Sequence, residues 1–333
     1  MKKIGVGLIG LGHLGKFHLK CLLNIPNVEV VGVYDSDQSI CAEIAAANGI
    51  KAFNNPEELI EAADAIDVVT PTFSHFEYAA KVINANKHLF IEKPLTNTVA
   101  EAQALLDLLV AKPQLKVQVG HIERFNPAFV SIKHLSLNPL FVECHRLSQF
   151  NPRGTDVSVI LDLMIHDLDL LLHIVPSEVK SIHASGVNVI SPTPDISNVR
   201  IEFENGCVAN LTASRISMKK MRKTRIFQKD AYISLDFLEK NSQVLRLSEE
   251  ESEAKSFSDI YFPLDIGHGH TKFIALAQQT VDDYNAMESE LKAFVDSIID
   301  DSKPVVSIED GFRALRLCHQ IIEQIESRNS KLI

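Results

Sequence analysis

The five cysteines, Cys21, Cys41, Cys144, Cys207 and Cys318, form no CxxC and no other ligand-like spacing. That absence argues against a disulfide framework and a cysteine zinc site, and it suits a reducing cytoplasm. Cations are in deficit: 33 Lys and Arg against 43 Asp and Glu leave a net charge of -10. Nucleic acids and anionic bilayers are captured by a local excess of positive charge, so neither is expected as a partner. The densest basic stretch, residues 219–225, is short and reads as a solvated turn. No apolar run is both long and uncharged enough to span a bilayer. Lys2, Lys3 and the run from Ile4 to Leu11 imitate a signal peptide. Glycines interrupt that run, however, and it continues into His13, Lys16 and His18 without a small-residue cleavage site. A soluble cytoplasmic protein is expected. Internal repeats and low-complexity tracts are also absent.

What is present is ordinary globular material. The 333 residues are 46% hydrophobic and 23% charged, enough for two domains at roughly 150 residues each. Up to residue 121 the chain alternates between two periods. Ile4 to Ile9, Val28 to Tyr34, Ala65 to Thr70 and His88 to Ile91 read as short buried strands. Leu14 to Asn24, Ser39 to Asn48, a segment opened by Asn55-Pro56, and Ser74 to Ala85 read as helices between them. Steady strand–helix alternation implies right-handed crossovers and a doubly wound parallel sheet. Beyond residue 121 short alternating strands dominate, among them Phe141 to Ser148, Val179 to Ile190, Asn198 to Glu204, Cys207 to Arg215 and Ala231 to Phe237. Asn205-Gly206 marks a two-residue hairpin with positive φ at both positions. The expected architecture is a dinucleotide-type α/β domain over residues 1–121 and an α+β domain with a mainly antiparallel sheet over residues 122–333. The cleft between them is the expected working site. Met287 to Ile299 and Phe312 to Glu326 read as closing amphipathic helices.

Gly10-Leu11-Gly12-His13-Leu14-Gly15 is a GxGxxG placed after the first strand and at the start of the first helix. There the first glycine permits the tight turn, the second admits a pyrophosphate, and the third lets helix and strand pack closely. Asp35 ends the second strand 20 positions beyond Gly15, where a carboxylate accepts from ribose hydroxyls and repels a 2′-phosphate. No arginine follows it, so NAD is expected over NADP. A glycine turn that merely packs is the competing reading.

Two further places interrupt apolar runs with charge. Glu92-Lys93-Pro94 ends the fourth strand, and open α/β sheets bind ligands at carboxyl ends of strands. Lys93 is therefore expected beside the nicotinamide, although such a pair can also mark a strand's exit to solvent. The segment from Val157 to Ile174 is apolar at almost every position but for Asp162, His166, Asp167, Asp169 and His173. Asp162, His166, Asp169 and His173 share one helical stripe, and Asp167 lies opposite as a local salt bridge. The stripe reads as a polar seam, a metal site or an acid/base pair. No clear third ligand supports metal. A seam suits Asp169 and His173, and an imidazole oriented by a carboxylate one turn away suits Asp162 and His166.

The succession GLGHLG, Asp35, TPTFSH (Thr70 to His75), NANKHLFIEKPL (Asn84 to Leu95), VGHIERFNP (Val119 to Pro127) and Asp162/His166 resembles the Gfo/Idh/MocA oxidoreductase family over essentially the whole chain. The resemblance implies an NAD(P)-dependent dehydrogenase of sugars, inositols or sugar nucleotides, whose open antiparallel sheet mediates dimers or tetramers. It places the family's catalytic lysine on Lys93, its acid/base histidine on His166 and the assisting aspartate on Asp162. Thr70, Pro71, His75 and Glu92 would line the cofactor, and Arg124 would lie near it or support the cleft. Met164 departs from the glycine that many members carry two residues after the aspartate. Asn151 to Leu172 looks like a narrower group, the UDP-N-acetylglucosamine 3-dehydrogenases. Arg153 would then suit a sugar-nucleotide diphosphate, unless it is an ordinary exposed loop arginine. A free polyol, inositol or imine substrate, or a non-catalytic NAD sensor, are the alternatives. No metal is expected.

Overall fold

In the computed structural model, which describes residues 3–151, 157–268, 270–279 and 283–330, the first alternation builds a five-stranded sheet. Its elements are β1 (Ile4–Ile9), α1 (His13–Asn24), β2 (Val28–Tyr34), α2 (Gln38–Asn48), α3 (Pro56–Ala62), β3 (Ala65–Val68), α4 (His75–Asn84), β4 (His88–Glu92), α5 (Val99–Val110) and β5 (Val117–Gly120). The strand order is β2-β1-β3-β4-β5, parallel throughout. Order reverses beside β1, so the carboxyl ends of β1 and β3 open the crevice typical of such sheets. Local chemistry sets the helix ends. Asp37 accepts from the Ser39 and Ile40 amides at the start of α2, and Gly49 closes that helix at φ 65°. Asn55 caps α3 with Pro56 in its first turn, and Thr98 and Glu101 form a reciprocal capping box on α5.

A second unit follows, with α6 (Pro127–Val130), β6 (Phe141–Leu147), a π-helical turn at Ile160–Met164, α7 (Ile165–Ile174), β7 (Val179–Val187), β8 (Ile196–Phe203) and β9 (Val208–Ser214). It continues with β10 (Met221–Phe227), β11 (Ala231–Asp236), β12 (Asn241–Ser248), α8 (Glu251–Phe257), β13 (Tyr261–Asp265) and β14 (Thr271–Gln279). These nine strands form one sheet in the order β13-β14-β12-β11-β10-β6-β9-β8-β7. All pairs are antiparallel except β6 with β9. The chain closes with α9 (Ala286–Ile299) and α10 (Ile308–Asn329).

Three expectations change. Residues 285–316 belong with the first unit rather than with the domain after residue 121. Leu291, Phe294 and Val295 of α9 join a core with Ile4, Leu22 and Phe90, and nothing in an amphipathic pattern names the surface it will cover. The basic stretch at 219–225 is mostly strand β10 in mid-sheet, not a turn. Thr224 and Ile226 are buried on one face, while Lys223 and Arg225 reach Asp236 and Glu143 on the flanking strands, each at 3.0 Å. Charged side chains tolerate a central strand when their face meets opposite charges directly across. Asn205-Gly206 does lie between paired strands, but only Gly206 has positive φ, at 86°. The amide of Gly206 donates to the Phe203 carbonyl at 3.0 Å and that of Phe203 to the Cys207 carbonyl at 2.9 Å. This is a longer turn ending in a glycine bulge, not a two-residue loop.

The connection from β7 to β8 is tied by Asp195, which is fully buried. Its Oδ2 accepts from the amides of Val189, Ile190 and Ser191 at 2.8, 2.6 and 2.9 Å. Burial pushes this carboxyl up, but the donors of Ser191, Ile190 and Val189 prevail and hold it well below the usual carboxylate range. A depressed carboxyl stabilises the fold above its ordinary pKa and loses that contribution as pH falls through the folded value. Asp195→Asn is therefore expected to cost about 1–3 kcal/mol at neutral pH. Urea unfolding should show this difference narrowing in acid.

Candidate active site

In the first unit, the turn between β1 and α1 opens one wall of a cavity of about 690 Å³. Gly10 sits at φ 101°, and a Cβ there would stand 2.7 Å from the Val69 carbonyl oxygen. Gly15 packs directly on the Gly10 carbonyl, leaving no room for a side chain. Gly12 faces open space. The first turn of α1 has neither a side-chain cap nor an acidic residue, so its amides can meet an anion, such as a pyrophosphate. Asp35 turns one oxygen to the Leu11 amide at 2.6 Å and the other to the Asp37 amide at 2.9 Å. Its carboxylate thereby orders the glycine turn and keeps lone pairs for hydroxyl donors. His13, Leu14, Thr70 and Pro71 also line this cavity, as do Tyr34 and Tyr78, which no motif in the sequence marks. The two tyrosine rings meet edge-on at 6.4 Å. Burial, with Tyr34 adding to it, pushes the Tyr78 phenol up to about 12, so it stays a neutral wall. These residues fit a dinucleotide: an open anion-binding helix end, a carboxylate at ribose distance in sequence, and apolar flanks.

Lys93 and Glu92 line the same cavity from the end of β4. Glu92 is nearly buried, and its Oε2 accepts the Lys93 amide at 3.1 Å. His75 does not line the cavity. Its buried ring lies behind the wall, with Nδ1 2.9 Å from the Pro94 carbonyl and Nε2 2.9 Å from the Thr70 carbonyl. Burial lowers its pKa, and the neutral ring donates to one carbonyl at a time. It ties the ends of β3 and β4 that present Thr70 and Lys93. Arg124 is also buried away from that lining, 3.8 Å from Asp310 in the same unit. Asp310 is held below the usual range by Arg124 and Ser307 against the opposing effect of burial.

In the second unit, regular α-helix begins at Ile165, so the four polar residues do not share one α-helical stripe. Asp162 lies in the π-turn, His166 follows one residue into α7, and both are half-buried. Single π-turns inserted in α-helices recur at functional sites, where they re-aim side chains. Asp169 is buried, while His173 is exposed with its ring edge-on to Phe129 at 5.9 Å. Asp167 is no local pair: Arg146 of β6 holds it from both sides, Nε to Oδ2 at 2.9 Å and Nη2 to Oδ1 at 2.8 Å. Arg153 and residues 152–156 around it lie outside the described residues, as does Lys2.

A glycine-turn cavity ending at a strand-end lysine defines the first unit as the nucleotide domain of a dinucleotide-dependent oxidoreductase. Residues 4–121 match the oxidoreductase family with an NAD-binding Rossmann fold, and residues 138–234 match the GFO/IDH/MocA C-terminal domain. The chain belongs to the Gfo/Idh/MocA family of NAD-dependent dehydrogenases. It is 39% identical over 233 residues, 70% of this chain and 74% of the relative, to UDP-N-acetylglucosamine 3-dehydrogenase of Acidithiobacillus ferrooxidans. The solved structure of that enzyme superposes with a TM-score of 0.85, covering 98% of this chain and 99% of its own, at 31% identity. Myo-inositol 2-dehydrogenase of Thermotoga maritima is 26% identical, over 98% of this chain and 97% of its own. Scyllo-inositol dehydrogenase of Lactobacillus casei, solved with NAD(H) and scyllo-inositol, shares the fold at 19% identity, with a TM-score of 0.78 and 98% of both chains covered.

Proposed function

We propose that this dehydrogenase oxidises the 3-hydroxyl of UDP-N-acetylglucosamine, with NAD as hydride acceptor. The relative at 39% identity carries this reading, together with a cavity that joins Asp35 at one end to Glu92 and Lys93 at the other. Bound NAD supplies the acceptor for the hydride leaving the carbinol carbon. His166 takes the hydroxyl proton, Asp162 orients its imidazole, and the Lys93 ammonium stabilises the developing alkoxide. Glu92 holds the Lys93 backbone through its amide. Asp35 rejects a 2′-phosphate by charge, so NADP should bind more weakly than NAD.

The deciding measurement is NADH formation across a panel of UDP-sugars, free polyols and inositols. Turnover with UDP-N-acetylglucosamine and not with free polyols supports the reading. A preference for free inositols would replace it with the activity named for the more distant relatives. Self-association as a homodimer or homotetramer belongs to the same proposal. One face of the second unit's sheet carries Phe141, Phe227 and Tyr232 in contact, with ring centroids 5.8 and 4.9 Å apart, and Phe262 and Leu264 farther along are exposed. Exposed aromatic and aliphatic side chains on an open sheet face suit a surface for self-association, and light scattering of the purified protein should give a mass above that of the monomer. Five buried thiols and no helix among the described residues long and apolar enough to cross a membrane are in keeping with a cytoplasmic setting.

A further inference from the structure

Three ionisable side chains meet at the cavity wall, and two of them, His18 and Asp67, are flanked in the sequence by apolar residues. His18 of α1, Asp67 of β3 and Glu92 of β4 are 0%, 1% and 7% exposed. His18 Nδ1 lies 2.9 Å from Asp67 Oδ2, and its Nε2 lies 3.1 Å from Glu92 Oε1. Phe90 closes the ring's flank edge-on at 5.7 Å. Ionised carboxylates only accept hydrogen bonds, so the ring satisfies both partners fully only as an imidazolium. Burial opposes charge on the ring, yet Asp67 and Glu92 outweigh it and hold His18 well above its ordinary pKa. Burial pushes Asp67 up, whereas Glu92 is held down against the same burial by His18 and then by Lys93.

Packing alone does not require this arrangement, since hydrocarbon of equal volume fills such space at no greater cost. Of the three, Glu92 alone reaches the cavity wall. The sheet makes room for it: a Cβ on Gly120 of β5 would stand 2.8 Å from Glu92 Oε1.

We propose that His18 is a positioning residue that keeps Glu92 an anion in the cavity wall, and that this anion tunes the site toward the oxidised, cationic nicotinamide over the neutral reduced one. The inference rests on the cavity being the NAD site. The nicotinamide ring carries a positive charge in NAD+ and none in NADH, and a fixed carboxylate in a poorly solvated wall distinguishes the two by Coulomb attraction. Without the imidazolium, Glu92 is a buried carboxylate that regains neutrality by taking a proton, and the discrimination fades.

The test is the ratio of the Kd values for NAD+ and NADH, from calorimetry and NADH fluorescence, in native protein, His18→Gln, Glu92→Gln and the double variant. The ratio Kd(NAD+)/Kd(NADH) should rise about fivefold or more in each single variant. The double variant should add nothing further, because both substitutions remove the same charge. A folded His18→Gln with the native ratio overturns the proposal. If that variant does not fold, a native ratio in Glu92→Gln overturns it instead. Native protein that binds neither form refutes the cofactor assignment, a result distinct from an unchanged ratio.

Discussion

His166→Ala should lower kcat on the accepted sugar substrate about 10²- to 10⁴-fold, the range that loss of a general base commonly costs. The hydroxyl proton must leave as the hydride does, and an alcohol does not release it to water at a useful rate near neutral pH. Because His166 belongs to the second unit and every described residue lining the proposed NAD cavity belongs to the first, Kd for NAD should stay at its native value. Lys93→Ala should lower kcat by a similar factor and also weaken NAD binding, since Lys93 lines that cavity. The contrast is the informative part: two variants with equal losses of turnover but different cofactor affinities. Steady-state kinetics with fluorescence titration of NADH provide both numbers. Native turnover in either variant removes that residue from the reaction.

Asp167→Ala should destabilise the second unit by about 3–5 kcal/mol, the usual cost of removing one partner from a buried ion pair. Arg146 is 2% exposed, and two of its donors go to the Asp167 carboxylate. Alanine would remove the carboxylate that both of these donors reach. The double variant Arg146→Met, Asp167→Leu should recover most of the loss, because hydrocarbon needs no partner there. Urea unfolding of the three proteins checks this. A loss below about 1 kcal/mol in Asp167→Ala would mean that the guanidinium reaches other acceptors at little cost. Since Asp167 follows His166 directly, turnover should fall in the single variant as well.

The glycine turn, Asp35 and the Glu92-Lys93 strand end were legible in the sequence because each depends on neighbours a few residues away. A tight turn needs glycine where φ is positive, and Gly10 at φ 101° meets that need. The stripe on the helix from Val157 was half legible. Its polar residues stood out against apolar neighbours, but the π-turn at Ile160–Met164 breaks the 3.6-residue period that had put all four on one face. His75 matched a family position, yet its role against two carbonyls depends on where Pro94 lies in space. His18 carried only one faint signal, a histidine amid the apolar residues of α1.

Hydrophobic period, capping residues and turn chemistry made most of the first unit's strands and helices legible, with their alternation and the later change to mainly antiparallel pairing, whereas β10 and the π-turn at Ile160–Met164 were not. Only the tertiary structure decided the pairings that lie far apart in the chain. His18 finds its partners 49 and 74 residues away, Arg146 meets Asp167, and residues 285–316 return to the first unit. A buried charge is settled by whatever the folded chain brings beside it, and a local pattern holds no record of that neighbour.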